Sequence, residues 1–296
     1  MAPQLCLGTA QFGLPYGITN AAGQVAEPEV QALLAEAAAA GLTLLDTAQA
    51  YGDAEAVLGR TLPPGHHFRL VSKLPAQSQP SFKSDDCLVW DQAFERSCVR
   101  LGAPCLDALL LHNSADLRKP GGEHLHEWLL SLRQRGVVRR LGVSIYASAD
   151  LVGVPPDLLD LVQLPLSLYD QRLLVDGTIA RLRAQGCAVH ARSLYLQGLL
   201  LSPSSSWPAW VDPVAREHHA RLEHLAADRG SSLLDCAIGF ARDQADLEAV
   251  VLGLCSRLEL QQLLQAWGRI SPWQEGEWRT WALPDAGILD PRHWLR

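Results

Sequence analysis

Positive charge is absent from the first 59 positions: the first Lys or Arg is Arg60. A secretory leader opens on a basic stretch ahead of its apolar one, so none is expected here. No uninterrupted apolar run reaches about 18 residues, the minimum for a membrane-spanning helix, although 48% of the 296 residues are hydrophobic. Cations are too few for a nucleic-acid binder, which carries a basic face; here 25 Lys and Arg stand against 32 Asp and Glu, a net charge of -7. The seven cysteines include no C-x-x-C pair. Cys6, Cys87, Cys98, Cys105, Cys187, Cys236 and Cys255 therefore read as reduced, small apolar residues, and the expected compartment is the cytoplasm. Two nucleotide-binding signatures are missing as well. No Gly-x-Gly-x-x-Gly opens a helix after a strand, and "GTAQFG" (8–13) lacks the Lys-Ser/Thr ending of a phosphate loop. The histidines of "EHLHE" (123–127) and "EHHARLEH" (217–224) read as helix surface, without the converging ligands of a zinc site, so no metal is expected.

What the chain does contain is an alternation. Short apolar runs at 5–10, 43–48, 69–74, 106–112, 140–146, 159–165, 187–194 and 247–253 read as strands buried on both faces. Helical patterns lie between them. "PEVQALLAEAAAAG" has Pro28 near its first turn and Gly41 as its stop. The patterns ending on Gly102, Gly136, Gly230 and Gly268 stop in the same way. Eight such units predict parallel βαβ connections and a (β/α)₈ barrel, with a doubly wound sheet as the alternative. The expectation is one domain over 1–296. Its tail, 267–296, is rich in tryptophan (Trp267, Trp273, Trp278, Trp281, Trp294) and either caps the barrel base or lines a substrate pocket.

In a barrel, chemistry gathers where strands run out at the C-terminal face. Asp46 ends the second run, Tyr51 follows in "DTAQAYGDAE", Lys73 ends the third and His112 the fourth. Singly, these residue types are turn residues, core lids or solvated ends. Together they place a buried acid beside a buried base on adjacent strands, and such charges must pair. A phenol with a pKa near ~10 is a weak acid at neutral pH. A neighbouring ammonium should lower that value, and an aspartate should hold the ammonium in place. The matching chemistry is proton donation to an oxygen that becomes an alkoxide, with an imidazole orienting the carbonyl. Hydride transfer produces that alkoxide, and no side chain supplies hydride, so a nicotinamide cofactor is implied. Its phosphates would use the loops after strands seven and eight. The segment Gly253, Leu254, Cys255, Ser256 leads there to a helix N-terminus.

"GTAQFG", "DTAQAYGDAE", "SKL", "LLLHN" and "GVSIY", in this order, resemble an aldo/keto reductase over almost the whole chain. "GLPYGITNAAG" and "ARSLYLQGLLL" are similar to a bacterial branch linked to surface-sugar metabolism. The resemblance implies the (β/α)₈ fold, a reductase using NADP(H) on a small-molecule carbonyl, and a tetrad of Asp46, Tyr51, Lys73 and His112 with Tyr51 as proton donor. It also implies that Ser144 and Gln163 hold the nicotinamide carboxamide, although Ile145 stands where the family commonly has Asn. Arg192 stands where many members stack a tyrosine, and would favour the neutral, reduced ring. After strand eight, where many members clamp a 2′-phosphate with cations, the alignment gives Gly253, Glu259, Gln262 and Leu263, with Arg257 the one cation of the segment. NAD(H) is therefore a second expectation. Two other classes stay open: a Schiff-base lyase with Lys73 as nucleophile, and a binding protein that senses cofactor redox state. Substrate and oligomeric state are not expected from the sequence.

Overall fold

Runs of apolar residues with no polar face can be satisfied only where both faces of a sheet are covered, and here the sheet closes on itself. A computed structural model describes residues 2–284 and 286–294; Met1, Asp285, Leu295 and Arg296, the remainder of the 1–296 span, lie outside the described residues. Eight parallel strands, β1 (Gln4–Gly8), β2 (Leu44–Asp46), β3 (Arg69–Leu74), β4 (Leu106–Leu111), β5 (Val138–Ser144), β6 (Leu161–Pro165), β7 (Ala188–Arg192) and β8 (Ala249–Gly253), form a closed barrel in sequence order. The last strand pairs with the first from Gln4 opposite Ala249 to Gly8 opposite Gly253. The fold is the expected (β/α)₈ barrel, and not the doubly wound sheet.

The helices are α1 (Ala10–Gly13), α2 (Glu27–Ala39), α3 (Ala54–Thr61), α4 (Asp86–Leu101), α5 (Gly122–Gln134), α6 (Arg172–Val175), α7 (Thr178–Ala184), α8 (Pro213–Asp228), α9 (Leu233–Arg242), α10 (Arg257–Gly268) and α11 (Ala286–Leu289). The five long patterns read from the sequence are α2, α4, α5, α8 and α10. Their neighbours α3, α7 and α9 were not expected, for physical reasons. α3 and α7 are short, and α9 is buried over seven consecutive residues, Asp235–Ala241, with few polar positions to mark it. Among the described residues no helix is long and apolar enough to cross a membrane, and no three His, Cys, Asp or Glu are placed to hold a metal ion.

Alternate residues of a strand face opposite ways, and the inward set is apolar at mid-height: Cys6, Leu44, Val71, Ala108, Leu110, Leu161, Ala188, Ala249 and Val251 pack together. Two residues further along their strands stand Asp46, Lys73, His112, Gln163 and Gly253, which the pleat therefore turns inward at the C-terminal mouth. The opposite end is closed by charge. Arg140 donates to Asp107 Oδ2 at 2.5 Å and to Glu248 Oε1 at 2.7 Å, and His190 Nε2 meets the same Glu248 oxygen at 3.1 Å.

The tryptophan-rich tail packs along α9, and none of its described residues lines either cavity at the mouth. Trp273 donates to the Cys236 carbonyl of α9 at 2.8 Å, and Trp278 packs edge-on against Phe240. The Leu283 amide donates to Tyr169 beyond β6, and Arg292 lies 3.9 Å from the Tyr146 ring beyond β5. The tail thus climbs the outside of the barrel over α9 towards the mouth, and no described residue of it lines the cavity there.

The base network generates a pH prediction. Hydrogen bonding to His190, then to Arg140, holds the Glu248 carboxyl down at about 2 against the opposing effect of burial. A depressed carboxyl contributes stability above its unfolded pKa that is lost as pH falls through its folded one. Glu248→Gln should lower unfolding free energy at neutral pH by ~1–3 kcal/mol and flatten the loss of stability between pH 4.5 and about 2. Urea unfolding at a series of pH values checks this; an unchanged acid limb would refute it.

Candidate active site

The mouth of the barrel holds an ammonium that solvent does not reach. Lys73 is 0% exposed and Asp46 is 2% exposed. Lys73 Nζ donates to Asp46 Oδ1 at 2.6 Å and to the Thr47 carbonyl at 2.9 Å. The other Asp46 oxygen accepts from Gln163 Nε2 at 2.7 Å, so β6 braces a pair built on β2 and β3. Burial alone would lower the Lys73 pKa, but Asp46 and Tyr51 overturn that and raise it above the ordinary value. Lys73 stays an ammonium.

Tyr51 lies in the turn between β2 and α3, with Lys73 Nζ 5.0 Å from its ring centroid and His112 edge-on at 5.9 Å. The turn is seated by glycine. A Cβ on Gly13, at the end of α1, would come within 1.9 Å of the Tyr51 carbonyl oxygen, and one on Gly52 within 2.4 Å of the Gly13 carbonyl oxygen. The last glycine of "GTAQFG" thus lets α1 abut the tyrosine. Its Thr9 donates twice to the Asp46 carbonyl, through the amide at 2.9 Å and the hydroxyl at 3.0 Å.

One expectation is corrected. Burial raises the Tyr51 pKa, and the lowering effects of Lys73 and Arg192 do not outweigh it, since Asp46 adds to the rise. The ammonium is shared with a carboxylate, so the phenol does not feel its full charge. His112 moves the other way: burial, then the charges of Lys73 and Arg192, lower it to about 4, leaving a neutral imidazole.

Asp46, Tyr51, His112, Gln163, Arg192 and Gly253 share a cavity of ≈ 220 Å³. A second cavity of ≈ 510 Å³ adjoins it through Gln11, Tyr16, Tyr195, Gln197 and Gly253, and is lined further by Leu254, Cys255, Glu259, Gln262 and Leu263. Ser144 is buried opposite Gln163 in the β5–β6 register and lines neither cavity. Ser256 caps α10, and Arg257 faces Glu29 on α2. Arg192 lays its guanidinium 4.1 Å from the Tyr146 ring centroid and donates to the Ile145 carbonyl at 3.0 Å.

The sequence reading missed several wall residues: Gln11, Tyr16, Tyr146, Tyr195 and Gln197. Tyr16 belongs to "GLPYGITNAAG" and Tyr195 and Gln197 to "ARSLYLQGLLL", stretches whose polarity gives no hint of which cavity they meet. A local signal does exist in the backbone. Ser193, Leu196 and Gln197 all have positive φ, which costs non-glycine residues energy and clusters at binding loops. Three buried polar atoms on residues lining the first cavity have no partner among the described residues: Gln11 Oε1, Gln163 Oε1 and the Tyr195 hydroxyl. Such atoms call for a polar ligand. A carboxamide, with two N–H donors and one acceptor, matches them, so the wall fits a nicotinamide.

A family model described as Aldo/keto reductase family matches residues 4–281. An aldo-keto reductase of Mycobacterium sp. (strain MCS) is 30% identical over 138 residues, which is 45% of this chain and 45% of that relative. One of Mycolicibacterium smegmatis is 30% identical over 138 residues, 44% of each. The chain thus matches less than half the length of these curated relatives. Among solved structures, the holo form of an aldo-keto reductase from Bacillus halodurans superposes with a TM-score of 0.75, covering 99% of this chain and 95% of that one at 18% identity. At that identity the likeness concerns the fold.

Two outcomes follow from the geometry. Gly13→Ala should cost ~1–3 kcal/mol of stability, whereas Gly268→Ala, whose added Cβ meets nothing within 4 Å, should not; thermal unfolding compares them. For His112, NMR titration should find a pKa of about 4. A histidine lowered in this way adds stability that is present above its unfolded pKa of 6.5 and is lost as pH falls towards about 4. A titration midpoint near 6.5 would refute the account.

Proposed function

The chain belongs to the aldo/keto reductase family, and we propose that it reduces the carbonyl group of a small molecule to an alcohol with a nicotinamide dinucleotide, Tyr51 being the proton donor. The observation that carries this reading is the buried Lys73–Asp46 pair beside a tyrosine, in a cavity shared with a neutral histidine. A bound dinucleotide supplies the hydride; the chain's own residues handle the proton and the charge. His112, as a neutral imidazole, donates a hydrogen bond to the substrate oxygen without protonating it. Tyr51, held protonated by burial, passes its phenolic proton to that oxygen as the oxygen gains charge. Lys73 stabilises the phenolate left behind, and Asp46 and Gln163 keep Lys73 in place. Gln163, Gln11 and Tyr195 are assigned to the carboxamide, with Ser144 behind Gln163 as support. Arg192 flanks the ring from the β7 side.

The Schiff-base reading is disfavoured by the same pair. Attack on a carbonyl needs a neutral amine, and Lys73 is an ammonium whose hydrogens go to Asp46 and the Thr47 carbonyl. A sensor that never turns over would have no use for the proton donor.

Tyr51→Phe should lower turnover of a carbonyl substrate by about 10²–10⁴, the worth of a placed general acid, and leave dinucleotide binding unchanged in a fluorescence titration. Turnover at the wild-type rate would overturn the assignment. Lys73→Met should slow turnover and shift its pH profile, because the phenolate loses its counter-charge. A profile that stays fixed would overturn the role given to Lys73.

A further inference from the structure

The second cavity is built for a ligand that carries no extra phosphate. None of the residues lining it is Lys, Arg or His, and its one acidic side chain is Glu259. A dinucleotide whose nicotinamide lies by Tyr51 must extend into this cavity, because the two share the walls around Gln11, Tyr195 and Gly253. Barrels bind phosphates in the loops after strands seven and eight, on free amides at a helix N-terminus. Here three of the amides at the start of α10 are already engaged. Cys255 N–H donates to Glu259 Oε2 at 2.6 Å, Glu259 N–H to Ser256 Oγ at 3.2 Å, and Arg257 N–H to Glu29 Oε1 at 2.7 Å. The cation of the segment is also engaged: Arg257 Nε lies 4.0 Å from Glu29 Oε2. Glu29 comes from α2, 228 positions away in the chain.

On the reductase reading, we propose that this cavity selects NAD(H) over NADP(H), Glu259 acting from its wall and Glu29 by holding Arg257, the one cation of the segment. A ribose 2′-hydroxyl can donate to the free oxygen of Glu259, as acidic residues accept it in other dinucleotide sites. A 2′-phosphate would meet the Glu259 carboxylate, beside an Arg257 whose guanidinium already faces Glu29 and with the Cys255, Arg257 and Glu259 amides taken. This reverses the NADP(H) expectation carried by the family resemblance, and it does so through a residue, Glu29, that lies far from the strand-eight segment in sequence.

The test is binding, not turnover. Wild-type protein is titrated with NADH and with NADPH by fluorescence at fixed ionic strength, without carbonyl substrate. NADH should bind tighter by about tenfold or more, the scale of one unfavourable charge pair in place of one hydrogen bond. Glu259→Gln and Glu29→Gln should each narrow the ratio, by strengthening NADPH more than NADH, and the double variant should narrow it furthest. Glutamine keeps one acceptor oxygen, enough for the amide each glutamate holds, so the helix start survives. NADPH binding as tightly as NADH to the wild type would overturn the selectivity while leaving the reductase reading standing. Binding of neither dinucleotide would overturn both. A ratio untouched by both substitutions would overturn the roles of Glu259 and Glu29.

Discussion

A lysine ammonium with no exposure to solvent is the constraint that organises this molecule. Burying a charge is costly unless it is paired and hydrogen-bonded, and Lys73 is provided for from two sides: the Asp46 carboxylate and the Thr47 carbonyl. Asp46 in turn is held from β6 by Gln163, 117 positions further along the chain. Removing any one of these groups leaves another buried and unsatisfied. Barrel closure is what brings them to one level, since β2 and β3 are neighbours and β6 stands across the barrel from them. The fold and the candidate site therefore rest on one set of contacts.

Much of this was legible in the residues. Asp46, Lys73 and His112 stand out because each interrupts or ends an apolar run, and a polar residue there faces inward or meets the mouth. The β strands were legible for the same reason: both faces are covered, so each reads as a short unbroken apolar stretch. The limits are equally physical. α9 is ten residues long and buried along seven of them in a row, so few polar positions mark it. Gln163 was assigned to cofactor binding alone, because its bond to Asp46 depends on barrel radius and not on local sequence. Glu29 reads as an ordinary first-turn acid of α2, and only packing of α2 beside α10 brings it to Arg257. Gly13 reads as part of a glycine-rich motif, while its role is to let two backbones touch.

The least legible property was the acidity of Tyr51, because it is a balance and not a contact. Counting neighbours suggests that Lys73 lowers the phenol's pKa, and its charge does act in that direction. Burial acts more strongly, and Asp46 adds to it. A raised pKa and a proton-donating role are compatible once the charge of the whole cavity is considered. His112 is neutral above about pH 4. Arg192 is held by the Ile145 carbonyl, the Ser193 hydroxyl and the Tyr146 ring, not by a carboxylate. With Tyr51 protonated, the mouth thus holds two cations, Lys73 and Arg192, against one anion, Asp46. Loss of the phenolic proton brings that balance to zero. The surplus positive charge acts to favour loss of the proton, against burial and Asp46, which outweigh it at rest. On the proposed reading, burial keeps the proton on Tyr51 until an oxygen of rising basicity is placed against it, and the two cations then stabilise the anion that remains. On this account the same desolvation that hides the tyrosine's acidity at rest strengthens the electrostatics that release it.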